Sequence, residues 1–108
     1  MIIRDPARRA QFHTDKMGKT DLALGEHLLC GLNCFEPGQE HEPHAHCARD
    51  KIYFVLQGQG EVTIGETTEL VGPGDMAYAA AGVVHSMRNP GPDRLVVAVA
   101  MGPPPAKK

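Results

Sequence analysis

The chain alternates short apolar runs with breakers, and no long stretch repeats at the helical period. Seven runs read as strands: Glu26–Phe35, Lys51–Gln57, Glu61–Ile64, Thr67–Val71, Met76–Ala79, His85–Arg88 and Arg94–Met101. Val62 and Ile64 alternate with polar neighbours, as in a half-buried strand. "IGETTEL" and "QGQGE" each supply a glycine-bearing hairpin turn between runs. Strands this short and closely spaced predict an antiparallel sandwich or barrel, an all-β fold. Ahead of them the chain is less regular. Residues 1–25 read as an N-terminal arm with one short strand at Gln11–Thr14, residues 26–101 as the barrel, and residues 102–108, "GPPPAKK", as an extended, mobile tail.

Composition narrows the class. With 108 residues the chain supports one core. Apolar residues at 42% and charged residues at 22% fit a soluble globular protein and exclude a disordered one. The net charge is −2, and Arg4, Arg8 and Arg9 form the one local basic cluster, which argues against a nucleic-acid partner. No apolar run has the length of a membrane span and no secretory h-region opens the chain, so the expectation is a cytoplasmic protein. Three cysteines, Cys30, Cys34 and Cys47, read as free thiols. Cys30 and Cys34 share a strand face with Leu28 and Leu32, and their spacing is wrong for a zinc knuckle.

The candidate chemistry lies in histidines. His44 and His46 are two apart, so on extended chain both imidazoles project to one side. His85, in "GVVHSMRN", follows after enough chain for two hairpins to return it opposite the pair. Three neutral imidazoles would hold Fe, Mn, Ni, Zn or Cu and leave positions for water or substrate. An isolated H-x-H more often reflects surface polarity, so the surrounding pattern decides.

That pattern resembles the cupin superfamily. Gly38 is followed by five residues, then His44 and His46, with Gly58 at the far end, as in the first cupin motif. Gly74 is followed by five residues, then Ala80 where the second motif has proline, then Gly82, His85 and Asn89. The turns "FEPG" and "GPGD" are similar too, and the resemblance spans about Glu26 to Met101. It implies a double-stranded β-helix (jelly-roll) barrel holding one divalent metal among His44, His46 and His85, and pairing into a homodimer.

One position departs from the pattern. Lys51 stands where the resemblance places a glutamate ligand, and "KIYFVLQG" puts Lys51, Tyr53 and Val55 on one inward face. Three outcomes are open. The site is a three-histidine one, with Lys51 turned to solvent or paired with Asp50 or a glutamate. Alternatively Asp50, Glu40, Glu42 or His41 supplies a fourth ligand from a flexible "GQEHEPHAH" loop, Asp50 by way of a bulge. Or Lys51 replaces metal function and faces a bound anion. Lys51 and Tyr53 are candidate substrate contacts, Tyr78 a candidate pocket wall, and Met87 and Val55 an apolar lining. Asn89 reads as a turn residue before Pro90.

Two functions follow. One is a dioxygenase-like enzyme acting on a small, anionic organic molecule, with isomerase or lyase chemistry open to the same site. The other is a ligand-binding or sensor module whose metal is structural or absent.

Overall fold

The computed structural model describes residues 1–104. Among the described residues there are nine strands: β1 (Gly18–Leu24), β2 (Leu29–Phe35), β3 (Glu40–His44), β4 (Asp50–Gln57), β5 (Gly60–Ile64), β6 (Thr67–Val71), β7 (Met76–Ala79), β8 (His85–Arg88) and β9 (Leu95–Gly102). They form a five-stranded sheet, β1-β2-β9-β4-β7, facing a four-stranded sheet, β3-β8-β5-β6. Every pairing is antiparallel. This is the jelly-roll barrel the strand spacing and the resemblance implied.

The period-2 pattern explains the core. Along β4, Lys51, Tyr53 and Val55 are buried while their neighbours are not. Tyr53 and Val55 join Phe35, Val62, Met87, Leu95 and Val97 between the sheets. Each such side chain contributes roughly 1.5–3 kcal/mol on leaving water. The outer face of the large sheet carries a second cluster, Leu32, Cys34 and Val96, covered by Ala7, Ala10 and Phe12 of the N-terminal segment.

That segment differs from expectation. Gln11–Thr14 is irregular, a 3-10 turn covers Pro6–Arg9, and the strand of the region is β1. β1 pairs with β2 and carries a bulge between Asp21 and Ala23, which breaks the alternation a strand is read from. β2 begins at Leu29 rather than Glu26. Residues expected to form a flexible loop contain β3, paired with β8. Pro43 is tolerated there because β3 is an edge strand with a register shift between His41 and His44. At the C-terminus Gly102 still belongs to β9, and residues 105–108 of the expected tail lie outside the described residues.

Asn89 is fully buried. Its Nδ2 donates to the carbonyls of Phe35 and Asp93, at 3.0 and 2.8 Å, and its Oδ1 accepts from Gly91 N–H at 2.8 Å. It therefore ties the β8–β9 connection to the end of β2, more than a turn residue would.

Candidate metal centre and its pocket

β3 and β8 bring the histidines together. His44 is paired directly with His85 across the ladder, and their ring centroids are 4.2 Å apart. His46 lies two residues past His44, beyond the strand end. Gly82 N–H holds this turn by donating to the His46 carbonyl at 2.8 Å. The His46 ring is 4.8 Å from that of His44 and 5.5 Å from that of His85. One ring nitrogen from each of the three lies within 4.8 Å of the others. An ion with bonds of about 2.1 Å draws such atoms to about 4.2 Å or less, so a small shift of the rings closes the set.

Hydrogen bonds preset two of these rings. His44 Nδ1 is 2.8 Å from the Glu42 carbonyl and His85 Nδ1 is 2.9 Å from the Val83 carbonyl. A carbonyl only accepts, so each Nδ1 carries the proton and each Nε2 keeps a bare lone pair. Both Nε2 atoms are buried without a hydrogen-bond partner. Orphaned, inward-facing lone pairs on neutral imidazoles are the donors a divalent ion takes. His46 differs: its Nδ1 lies 3.2 Å from Arg49 Nη1, and a guanidinium only donates. Ligation through His46 Nε2 therefore moves the proton to Nδ1 and releases Arg49.

Electrostatics favour the neutral rings. Burial, then neighbouring His44 and His85, pushes His46 down to about 4. Burial likewise lowers His44 and His85, outweighing the backbone hydrogen bonds that raise them. His41 is pushed down to about 3 by burial and then by Lys51. Its ring stacks 4.2 Å from His44 with Nδ1 buried and unpartnered, yet it stands outside the trio that shares one point.

Lys51 is neither turned to solvent nor paired with an acid. It is 4% exposed, and its Nζ sits 4.8 Å over the Tyr53 ring. The ion pairs among the described residues are Arg88–Glu61 and Arg94–Glu36, neither of which reaches it. Burial, reinforced by the Lys19 charge, lowers its pKa to about 8. Asp50 is exposed on the opposite parity and accepts from Ala81 N–H at 2.8 Å. A hydrogen bond from Tyr78 holds the Asp50 carboxyl below its ordinary value. Asp50 thus has partners away from the histidines, and no bulge reverses its parity. Glu40 and Glu42 are exposed.

His41, His44 and His46 line a cavity of about 280 Å³ together with Lys51, Lys19 and Asn33, while His85 lies behind its wall. Its apolar walls are Leu29, Val99 and Met101. Met87 and Val55 lie in the core instead, and Tyr78 is 56% exposed on the outside. The Tyr53 hydroxyl is buried without a partner. Lys19 and Asn33 were not singled out from the sequence. They reach the site through the β1–β2 pairing, which composition alone does not reveal.

Residues 31–101 match the cupin domain, and the chain belongs to the cupin family. TT1209 from Thermus thermophilus is similar in structure, with a TM-score of 0.93 at 35% identity, over 97% of this chain and 100% of that one. The uncharacterized protein SCO3923 of Streptomyces coelicolor is 35% identical over 77 residues, 71% of each chain. Mannose-1-phosphate guanylyltransferase 2 of Escherichia coli is 34% identical over 75 residues, which are 68% of this chain and 16% of that enzyme. The match to that enzyme is thus confined to a small part of its length.

Proposed function

We propose that His44, His46 and His85 hold one divalent metal ion, and that the protein uses it in chemistry on a small organic anion, with dioxygenase-like oxidation as the leading reaction. The observation that carries this reading is the pair of buried, partnerless Nε2 atoms of His44 and His85 beside His46. A bound ion supplies Lewis acidity and, if it is iron, manganese or copper, redox chemistry. The chain's own residues do the rest. Three neutral imidazoles leave the ion's double charge uncancelled, which favours an anionic ligand. Lys51, itself buried, adds a second positive charge to the cavity wall, beside the apolar side chains of Leu29, Val99 and Met101. Isomerase or lyase chemistry would use the same charge to stabilise an enolate.

Metal analysis of the purified protein and of His46→Ala tests the reading. About one ion per chain in the first and far less in the second supports it, and equal content in both removes it. Lys51 also favours a second reading, a binding module, because a buried cation can hold an anion without transforming it. Oxygen uptake by iron-loaded protein supports the enzyme. Thermal stabilisation by ligand without turnover supports the module. Free Cys30, Cys34 and Cys47 accord with a reducing, cytoplasmic setting, and exposed Leu24 and Leu28 give a homodimer an apolar contact.

A further inference from the structure

Among the described residues Lys51 is the one buried lysine, whereas Lys16 and Lys19 are exposed. Its charge bears on His41, His44, His46 and His85, which places it at the histidine end of the cavity. It stands between Met101 of β9 and Ala79 of β7 in the sheet, and its Nζ rests over the Tyr53 ring. None of these groups carries negative charge. The adjacent carboxylate, Asp50, is exposed and turned outward to Ala81 N–H and Tyr78. Asp21 lines the cavity but is exposed on β1, three strands from β4 in the sheet. Lys51 takes part in neither ion pair of the described residues.

An ammonium in this place has lost most of its water and gained the face of one ring, worth on the order of 1–2 kcal/mol. Such burial favours the neutral amine, and a neutral amine is a nucleophile. Lys19 acts in the same direction, and with the pKa at about 8 roughly a tenth of the molecules carry the bare amine at pH 7. Lys51 is not sealed in the core, because it lines the cavity with Leu29, Val99 and Met101. At about 280 Å³ that cavity stands at the small end of the ligand-pocket range of roughly 300–1,000 Å³, so it suits a molecule of a few carbons. The electrophile a desolvated lysine takes is a carbonyl carbon. Positive charge from Lys19 and from the protonated fraction of Lys51 draws in a carbonyl compound that also carries a carboxylate.

We infer that Lys51 is a nucleophilic amine that forms an imine with a short-chain oxo acid, an aldehyde or ketone bearing a carboxylate. The nitrogen lone pair adds to the carbonyl carbon, the C=O π pair moves to oxygen, and one N–H proton passes to that oxygen through water. The nitrogen lone pair then expels the hydroxyl group, which leaves as water with the second N–H proton. Amine and carbonyl thus give imine and one water, with nothing oxidised or reduced. The inference names a substrate class for the proposed function, and rests on that reading only for the metal's share in holding the carboxylate.

Reductive trapping of the full-length protein tests this. Glyoxylate at low concentration and cyanoborohydride at pH 7.5 convert an imine to a stable carboxymethyl amine, and peptide mass spectrometry reads each lysine. Lys51 is expected to be modified at least about tenfold faster than Lys16 or Lys19. In denaturing urea the advantage vanishes, because it comes from the fold. With acetaldehyde, which lacks the carboxylate, the advantage of Lys51 over Lys16 falls at least about threefold. Modification of Lys51 no faster than of the exposed lysines in the folded protein overturns the inference. An advantage that persists in urea, or one equal for the two aldehydes, overturns it too. Zinc content of parallel samples separates the two proposals. If zinc is not taken up yet Lys51 is trapped selectively, the metal reading falls and the reactive amine stands. If zinc is taken up by the wild type and lost in His46→Ala, while Lys51 is trapped no faster than Lys16, the amine falls and the metal reading stands.

Discussion

His44 and His85 face each other across the β3–β8 ladder, and each rests its Nδ1 on the carbonyl two residues before it. The two rings are thereby fixed in one tautomer, with both Nε2 atoms turned to the same buried space. An ion bound through Nε2 therefore needs no change of tautomer at these two positions.

Loss of either ring should weaken metal binding strongly, while loss of their neighbour should not. His85→Ala is expected to weaken zinc binding at least hundredfold, since a ligand matters more than the 10–100-fold typical of its supporting shell. His41→Ala, adjacent but outside the trio, is expected to retain about one ion per chain. Competition with a chromophoric chelator reads both. Equal loss in the two variants would contradict the assignment of His41.

Acid should weaken the metal-free fold in a defined window. His41 at about 3 and His46 at about 4 lie below their ordinary 6.5 because burial opposes the charged ring. The unfolded chain therefore binds more protons between about 4 and 6.5, and stability falls as pH drops through that range. Urea unfolding at pH 7.5 and 5 should show the lower midpoint at pH 5. His41→Phe should flatten the difference.

Lys51 carries the opposite ionic form but the same sign. Its folded pKa of about 8 lies below the ordinary 10.5. The unfolded chain again binds more protons, now between about 8 and 10.5, so stability rises with pH across that interval and the burial cost is at its full value at pH 7. Lys51→Met is expected to stabilise the ligand-free, metal-free protein by on the order of 2 kcal/mol at pH 7, with the gap narrowing by pH 10. Denaturant titrations of the two proteins at both pH values check this. A less stable Lys51→Met variant at pH 7 would contradict it.

Asn89 acts on the frame rather than the chemistry. Its three side-chain hydrogen bonds hold the β8–β9 connection to β2. Asn89→Ala should cost about 2–3 kcal/mol, because it strands buried backbone groups. Metal content of the folded fraction should be unchanged. Thermal melting and metal analysis on the same sample separate the two effects.

Much of this was legible in the sequence. Strands β4 to β9 announced themselves because apolar alternation and turn glycines agree there, as in "KIYFVLQG" and "IGETTEL". The chain between has room for two hairpins that return His85 opposite the His44–His46 pair, and the ladder pairs His85 with His44. β1 and β3 were hidden for physical reasons. "GKTDLAL" is polar and bulged, so its alternation fails midway, and "EHEPH" contains a proline that only an edge strand accepts. Lys51 was read on the correct face, but its burial without an acid went against the ordinary rule that charged groups inside are paired. The place of Lys19 and Asn33 beside the cavity is not legible, because it arises from a strand pairing between segments with no motif of their own.

Anomalous diffraction at the zinc edge from crystals grown with zinc tests the central claim most directly. The account predicts a single strong peak per chain, about 2.0–2.1 Å from a ring nitrogen of each of His44, His46 and His85. A peak elsewhere, or none between those three rings at full zinc saturation, would contradict it.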